Sequence, residues 1–197
     1  MKHSKNILED LLARSKERFS EQQGQFEKKA RELFLAYSKA EQGKPKEITM
    51  HTVNQILPCI AFYKAVSEYT GKPEQAYSII EEYFSEKCAL TAKKLQKLCR
   101  IPFAYQFAPR IMAGIIHKFF GTRSNFEVID RSIRHDVCQI DIVKCPYFSI
   151  CSAYGCPEFC NGDDTAYGNM HPKLSWERKK TLGRGDNCCD FILRILK

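Results

Sequence analysis

The sequence predicts an α+β fold, in which a helical N-terminal half packs on a mostly antiparallel C-terminal sheet. Two observations predict it: apolar residues recur with a helical period as far as Gly121, and with an alternating, strand-like period after that glycine. The chain has 197 residues, 44% of them hydrophobic, which suffices for one good core but not for two. We therefore expect a single domain over residues 1–197, helical over residues 1–121 and sheet-forming over residues 122–197.

The N-terminal half carries a series of amphipathic helix patterns. Residues 4–42 predict one long helix or two successive helices, with an interruption near Gly24. Thr49 or Thr52 is the expected cap of the next helix, which should end at Gly71. Capping and stop residues thus divide this half of the chain into several helices of ordinary length.

Further helix patterns lead towards the sheet. Pro73 suits the first turn of a helix that continues into a strongly basic segment. Residues 105–120 form an apolar helix pattern that stops at Gly121, where glycine favours the end of a helix. A short helix is expected after Pro146.

Four strand patterns occur in two pairs. Residues 126–131 and 138–143 alternate between their two faces and predict an antiparallel pair. Residues 176–182 and 189–196 predict a second pair, joined by glycines and an asparagine in residues 183–187 that suit positive φ angles. The two pairs together form the expected C-terminal sheet.

Positive charge is concentrated in residues 87–123, which we call the basic segment. It contains eight Lys or Arg residues and no Asp or Glu, in a chain whose net charge is +8. The segment either attracts an anion, such as a nucleic acid, an acidic lipid surface or a small carboxylate, or is an ordinary solvated helix face. Nucleic acid is the least favoured partner, because no recognition motif accompanies the charge.

The longest uncharged segments and the first residues of the chain predict the cellular location of the protein. These segments fall well short of the roughly 20 apolar residues that a membrane span needs, so we expect no membrane partner. Residues 1–6 lead into a charged helix pattern instead of the apolar core of a secretory signal, so we expect a cytoplasmic protein. There the ten cysteines should be reduced thiols, with metal binding or catalysis as the role of a few. No feature of the sequence indicates an oligomeric state.

Reactive side chains are concentrated in residues 145–191. This stretch holds six of the ten cysteines, one histidine and many carboxylates between glycines and prolines, as is typical of loops at the rim of a sheet. Thiolates bind zinc and iron–sulfur clusters, and the candidate ligands are Cys145, Cys156 and Cys160. Their spacing matches neither a structural zinc motif nor a ferredoxin motif, so a metal remains an alternative and no cofactor is required.

Nucleophilic or acid/base chemistry is the other interpretation of this stretch. A reactive thiol needs a neighbour that lowers its pKa, and His171, Arg178 and Arg184 are the nearby candidates. Asp163 and Asp164 either orient water or form an ordinary turn. His171 either carries protons or caps a loop.

The last strand pattern leaves two alternatives open. Cys189 shares a face with apolar side chains, so its thiol points either into the core or into a cavity. Arg178 either pairs with Asp186 or Asp190, or binds a substrate carboxylate through its two terminal nitrogens. The residues alone do not choose between these arrangements.

Two motifs near the C-terminus resemble those of a known family. They are Cys-x-x-Asp at Cys160 and Asp163, and Thr-Leu-x-x-Gly-Asp-x-x-Cys-Asp-Phe ending at Phe191. From Cys145 onward the chain resembles the L-2-amino-thiazoline-4-carboxylic acid hydrolase family. The glycine and cysteine spacing is also similar to that of small-ligand-binding domains of the vinyl-reductase and vesicle-tethering type, which place helices on an antiparallel sheet.

The family resemblance implies a hydrolase that opens a five-membered cyclic amidine, 2-amino-thiazoline-4-carboxylate or a similar ring, to an N-carbamoyl amino acid. Water or a thiolate attacks the ring carbon between sulfur and nitrogen, an acid protonates the departing nitrogen, and a cation holds the carboxylate. The implied catalytic residues are Cys160 or Cys189 as nucleophile or ligand, Asp163 as acid or base, and His171 as proton carrier. The implied substrate-binding residues are Arg178, Asp186 and Asp190. The alternative is a non-catalytic sensor that holds a small ligand, a metal or a cofactor on the same fold.

Overall fold

The computed structural model of the chain describes residues 7–196. Helices make up the N-terminal half and a four-stranded antiparallel sheet lies in the C-terminal half, which confirms the predicted α+β class. The described chain divides into two compact units. The first unit comprises the residues as far as Tyr83 together with Ser149–Phe159, and the second comprises Phe84–Phe148 and the residues from Cys160 onward. The expected single domain stays a prediction, and the helix start predicted at residue 4 lies outside the described residues.

The first unit is built from helices that bury their apolar faces. Its helical elements are α1 (Ile7–Ser15), α2 (Gln23–Lys39), α3 (Lys46–His51), a π-helical turn (Thr52–Ile56), α4 (Leu57–Thr70) and the first part of α5 (Pro73–Cys99). Leu8, Leu11 and Leu12 of α1 are spaced to lie on one helix face and are fully buried. Both α1 and α2 pack on α4, whose first six residues, Leu57–Phe62, are all buried.

Helix boundaries in the first unit differ from the prediction in two places. The interruption falls at residues 16–22, and Gly24 is the second residue of α2. α3 begins before both predicted threonine caps, and the Thr52 hydroxyl donates to the Ile48 carbonyl instead of capping a helix. Gly71 follows α4 in the left-handed conformation with a φ of 65°, as expected for a glycine that ends a helix.

The second unit contains the sheet. Its helical elements are the rest of α5, a 3₁₀ turn (Ala104–Phe107), α6 (Ala108–Phe119), a 3₁₀ turn (Thr122–Ser124), the start of α7 (Pro146–Ala153) and α8 (Gly162–Tyr167). Its strands are β1 (Glu127–Ile133), β2 (Val137–Lys144), β3 (Leu174–Glu177) and β4 (Cys189–Ile195), in the spatial order β1-β2-β4-β3. The predicted helices α5, α6 and α7 and the predicted β1–β2 pair are confirmed, whereas α8 is an additional helix.

The core of the second unit lies between α6 and the sheet. Met112 and Ile116 of α6 pack with Ile140 of β2 and Leu193 of β4. Ile140 and Leu193 are fully buried, and burying each of them stabilises the fold by about 2 kcal/mol. Cys189 belongs to a second buried cluster, so its side chain points into the protein and not into solvent.

The last strand pair is shorter than predicted. β3 ends at Glu177, because the Asp190 carboxylate accepts hydrogen bonds from the backbone N–H groups of Lys179 and Lys180 and so withdraws them from the strand ladder. A 3₁₀ turn (Leu182–Arg184) then leads back to β4. We call residues 179–190, which include the first two residues of β4, the closing loop.

Candidate functional site

A buried arginine organises one part of the second unit. The Arg178 side chain directly follows β3 and is 1% exposed. Its Nη1 donates to the Asp163 carboxylate at 2.9 Å and to the Cys160 carbonyl at 3.0 Å, and its Nη2 donates to Asp164 at 2.8 Å. The guanidinium carbon lies 6.0 Å from the centre of the Phe191 ring. A buried cation requires such partners, so Arg178 connects the start of α8 to the end of β3.

The two acids that bind Arg178 lie in the first turn of α8, where the positive end of the helix dipole favours them. Asp164 uses both oxygens, since the Trp176 Nε1 donates to Oδ1 at 2.9 Å and Arg178 donates to Oδ2. Asp163 binds Arg178 through Oδ2, and no described residue donates to its Oδ1. Asp163 therefore has an oxygen available to water or to a ligand.

Close packing against α5 positions the start of α8. Gly162 precedes the two acids, and a Cβ at this residue would overlap the Cys88 Sγ and lie 3.3 Å from the Cys88 Cβ. A larger residue must displace either α8 or the thiol. Glycine is required here by close approach and not by backbone conformation.

The Asp163 carboxyl has an unusual pKa. Burial among neighbouring atoms raises its pKa from 3.8 to about 6, the Arg178 guanidinium opposes the rise, and the Asp164 carboxylate adds to it. The side chain keeps 40% of its surface exposed, so solvent reaches the carboxyl. A carboxyl that titrates near neutral pH both takes up and releases protons readily, as a general acid or base must.

Thiols surround this carboxyl. Burial raises the pKa values of Cys88, Cys145 and Cys189, and the charge of Asp163 raises each of them further. The pKa of Cys145 reaches about 11, although backbone N–H groups of α7 lower it. The Leu182 N–H donates to the Cys189 Sγ at 3.3 Å. These thiols are protonated at neutral pH, and none has the lowered pKa that a reactive cysteine needs.

The other acids of the predicted site hold the closing loop. Asp190 accepts hydrogen bonds from the backbone N–H groups of the two residues that follow Arg178. Asp186 accepts one from the Thr181 N–H at 2.7 Å. The predicted pairing of Arg178 with Asp186 or Asp190 is wrong, because its terminal nitrogens bind the acids of α8 instead. Substrate binding by Asp186 and Asp190 stays a prediction.

Residues 49–193 match a model of the L-2-amino-thiazoline-4-carboxylic acid hydrolase family, and this range contains Arg178 together with the acids and thiols described above. The chain belongs to this family. The resemblance inferred from Cys145 onward is therefore confirmed, and the family match extends back through the helical half. Comparisons with curated proteins and with solved structures gave no significant match.

His171 has other contacts in this member of the thiazoline hydrolase family. Its ring stacks on the Tyr105 ring with centroids 4.4 Å apart, and its Nδ1 accepts a hydrogen bond from the Lys173 N–H at 3.1 Å. These contacts fit the loop-capping alternative, and the proton-carrier role stays a prediction.

The thiols that the sequence suggests as metal ligands do not converge. Among residues 7–196, no three His, Cys, Asp or Glu side chains form a group that could hold a metal ion. The Cys156 Sγ donates to the Pro157 carbonyl at 3.4 Å. None of the ten cysteines, all within the described part of the chain, forms a disulfide. The geometry therefore gives no support to zinc or an iron–sulfur cluster at these thiols.

Three residues near Asp163 were not singled out from the sequence. Cys88 lies on α5, and Tyr167 closes α8 with a pKa raised to about 12 by burial, with further contributions from Asp163 and Cys88. Trp176 binds the second acid of α8. No local motif marks Cys88 or Tyr167, because their proximity to Asp163 depends on the packing of α8 against α5. Trp176 did offer a signal, as the only tryptophan of the chain, two residues before Arg178.

Proposed function

We propose that this protein hydrolyses a ring like 2-amino-thiazoline-4-carboxylate to an N-carbamoyl amino acid, with Asp163 as the general base and acid. Membership of the thiazoline hydrolase family supports a small cyclic amidine as the substrate class. The observation that carries the proposal is the Asp163 carboxyl, whose pKa is about 6, which is partly exposed, and which Arg178 holds in place. Such a group suits proton transfer to and from a substrate.

Atom balance defines what the site must do. Water adds to the ring carbon between sulfur and nitrogen, and one of its protons ends on the ring nitrogen. The other proton ends on sulfur when the carbon–sulfur bond breaks, so the product carries a urea group and a thiol. Sulfur is therefore the departing atom, which corrects the expectation of a departing nitrogen.

Asp163 serves both proton transfers in this scheme. As a carboxylate it takes a proton from the attacking water and passes it to the ring nitrogen, and it then takes the hydroxyl proton of the adduct and donates it to the sulfur as the carbon–sulfur bond breaks. A pKa of about 6 keeps most of the group ionised at neutral pH and makes it a stronger base than an ordinary aspartate. The Oδ1 atom, to which no described residue donates, is the oxygen proposed to meet the water.

Water, not a thiol, is the nucleophile in this proposal. The pKa values of Cys145 and Cys189 are raised, so either thiol would have to lose a proton to Asp163 before it attacked. Direct activation of water by Asp163 needs one proton transfer fewer than a route through a thiol. The nucleophile expected at Cys189 is thus replaced by water, and Cys160 as nucleophile or ligand stays a prediction.

Arg178 is a positioning residue in this proposal. Both of its terminal nitrogens already bind carboxylates, and its side chain is 1% exposed. It therefore holds Asp163 and limits the rise of its pKa, and the carboxylate clamp expected at Arg178 is not part of the scheme.

Turnover of the ring tests the proposal. The purified chain is incubated with 2-amino-thiazoline-4-carboxylate, and the product is followed by its new thiol and by a mass gain of one water. We expect turnover, with Cys145→Ala, Cys160→Ala and Cys189→Ala variants within about tenfold of the parent. A ring-derived adduct on any of these cysteines after acid quenching would replace water by a thiol as the nucleophile. A ring that is bound but unchanged, detected by equilibrium dialysis, would favour the non-catalytic sensor.

A further inference from the structure

The outer side of α6 is apolar, although another side of this helix already faces the core. Met112 and Ile116 are buried against the sheet. Phe107, Ile111 and Ile115 are exposed, and the Phe107 ring shows 57% of its surface. These three side chains recur every four residues and so lie along one side of the helix. A contiguous exposed row of this kind marks an interaction surface more often than a solvated face.

The row extends into the turn before α6. Ile101 and Phe103 are both exposed, with Phe103 at 68%, and the Phe103 backbone has a φ of 64°. That conformation is unfavourable for an aromatic residue, and it is retained here at a side chain that adds nothing to the core. We call Ile101, Phe103, Phe107, Ile111 and Ile115 the apolar row.

Cations accompany the apolar row, and the basic segment that contains it has no acid. Arg110 lies three residues after Phe107 and Lys118 three residues after Ile115, so both project from the same side of α6. Arg100 directly precedes the row, and all eight cations of the basic segment are exposed. An apolar surface bordered by these cations is complementary to an apolar layer with an anionic border.

We propose that the apolar row and its cations bind the surface of an anionic lipid membrane. Phenylalanine and isoleucine side chains enter the region between the headgroups, while arginine and lysine contact the anionic headgroups. No helix among the described residues is long and apolar enough to cross a membrane, so the contact is peripheral. This departs from the expectation of no membrane partner, which rested on the short apolar runs, and follows the acidic lipid surface that was one of the anions considered for the basic segment.

Two other occupants fit the surface less well. A second copy of the chain in a symmetric contact would bring Arg110 and Lys118 close to their own copies, and the like charges would repel. A nucleic acid would use the cations but would leave the aliphatic side chains Ile111 and Ile115 without a role. A lipid surface contacts both the apolar side chains and the cations.

Cosedimentation with vesicles tests the proposal on the whole chain. We expect binding to vesicles of equimolar phosphatidylcholine and phosphatidylserine, weaker binding at high salt, and little binding to phosphatidylcholine alone. The double variant Arg110→Gln/Lys118→Gln should bind roughly 30-fold more weakly. The double variant Phe107→Ser/Ile111→Ser should lose a similar factor.

Matched controls come from exposed residues of the first unit. Lys39→Gln/Lys46→Gln removes two exposed cations and Leu35→Ser removes a side chain that is 62% exposed, and both should leave binding within about twofold. Thermal unfolding establishes that every variant is folded.

Equal binding to the two kinds of vesicle, or binding to neither, would overturn the proposal. Self-association lost in the Phe107→Ser/Ile111→Ser variant would assign the surface to a second copy. Retention on DNA or RNA that only the Arg110→Gln/Lys118→Gln variant loses would assign it to nucleic acid.

Discussion

The start of α8 and the closing loop contain the same kinds of residue but use them differently. Asp163 and Asp164 at the start of α8 face the guanidinium of Arg178. Asp186 and Asp190 in the closing loop accept hydrogen bonds from backbone N–H groups. In the sequence all four are acids within four residues of a cysteine, and composition does not distinguish them.

The role of each carboxylate depends on the partner that it binds. Asp190 is committed to the backbone of the closing loop, so its removal should lower stability and leave the chemistry unchanged. Asp163 is bound on one oxygen only and keeps 40% of its surface exposed, so its removal should abolish activity and leave the fold intact. The following variants test this comparison.

Asp163→Asn should have the largest effect on catalysis. The amide keeps the size of the side chain but does not accept a proton from water, so we expect kcat/KM to fall by roughly 10²–10⁴-fold. Asp164→Asn is the matched control and should cost less, because Asp164 is bound on both oxygens by Arg178 and Trp176. Steady-state kinetics on both variants checks this, and an Asp163→Asn enzyme within tenfold of the parent would exclude Asp163 as the base.

Arg178→Met should shift the pH dependence of activity. The guanidinium lowers the pKa of Asp163, so without it that pKa rises further above about 6, and the rising limb of the rate profile moves to higher pH. We also expect the free energy of unfolding to fall by about 2 kcal/mol, less than for a fully buried ion pair because both carboxylates are partly exposed. A profile of kcat/KM against pH and a urea titration measure the two effects. Arg178→Lys keeps the charge and should shift the profile less; an unchanged profile in Arg178→Met would contradict the proposed positioning role.

Gly162→Ala should damage the site through packing alone. The added methyl group overlaps the Cys88 Sγ, so we expect a loss of about 2 kcal/mol in unfolding free energy and about tenfold in kcat/KM as α8 shifts. Gly114→Ala is the control, since this exposed position in α6 has nothing within 4 Å. There alanine should stabilise the protein by up to about 1 kcal/mol. Equal effects at both glycines would refute the close packing of α8 on α5.

Asp190→Ala should affect stability and leave the chemistry unchanged. Two backbone N–H groups lose their acceptor, and we expect the free energy of unfolding to fall by about 1–2 kcal/mol. The pH at which activity reaches half of its maximum should stay where it is in the parent, because Asp163 is untouched. Chemical denaturation and the rate profile together check this, and a displaced profile would place Asp190 in the site after all.

The smallest effect concerns stability and pH. The pKa of Asp163 is higher in the folded state, about 6 against 3.8, so the folded state binds this proton more tightly. The resulting stabilisation is complete below 3.8 and is lost as the pH rises to about 6. The free energy of unfolding is measured for the parent and for Asp163→Asn at each pH. The parent value minus the variant value should fall by about 1 kcal/mol as the pH rises through this window, after allowance for solvent screening. A flat difference would show that the pKa is not raised.

Much of the fold could be predicted because the relevant signals are local. Alternating side chains predict the β1–β2 pair, helical periods predict α5 and α6, and Gly71 ends α4 because glycine readily adopts a positive φ. α8 was missed because six residues are too few for a periodic signal, although the two acids of its first turn are a typical helix start. The end of β3 was misplaced because it depends on Asp190, a side chain on the next strand.

The fold class, the family and the set of acids, thiols and guanidinium groups available for a site follow from the residues and their order. Which of these groups meet depends on the packing: Arg178 lies close in the chain to Asp186 and Asp190, yet it binds Asp163 and Asp164. The reason is that a pairing between side chains depends on how α8, α5 and the sheet pack, and a pKa depends on the burial that this packing produces. Neither quantity is a property of a residue or its neighbours in sequence, so the proton-transfer role proposed for Asp163 emerged only from the folded chain.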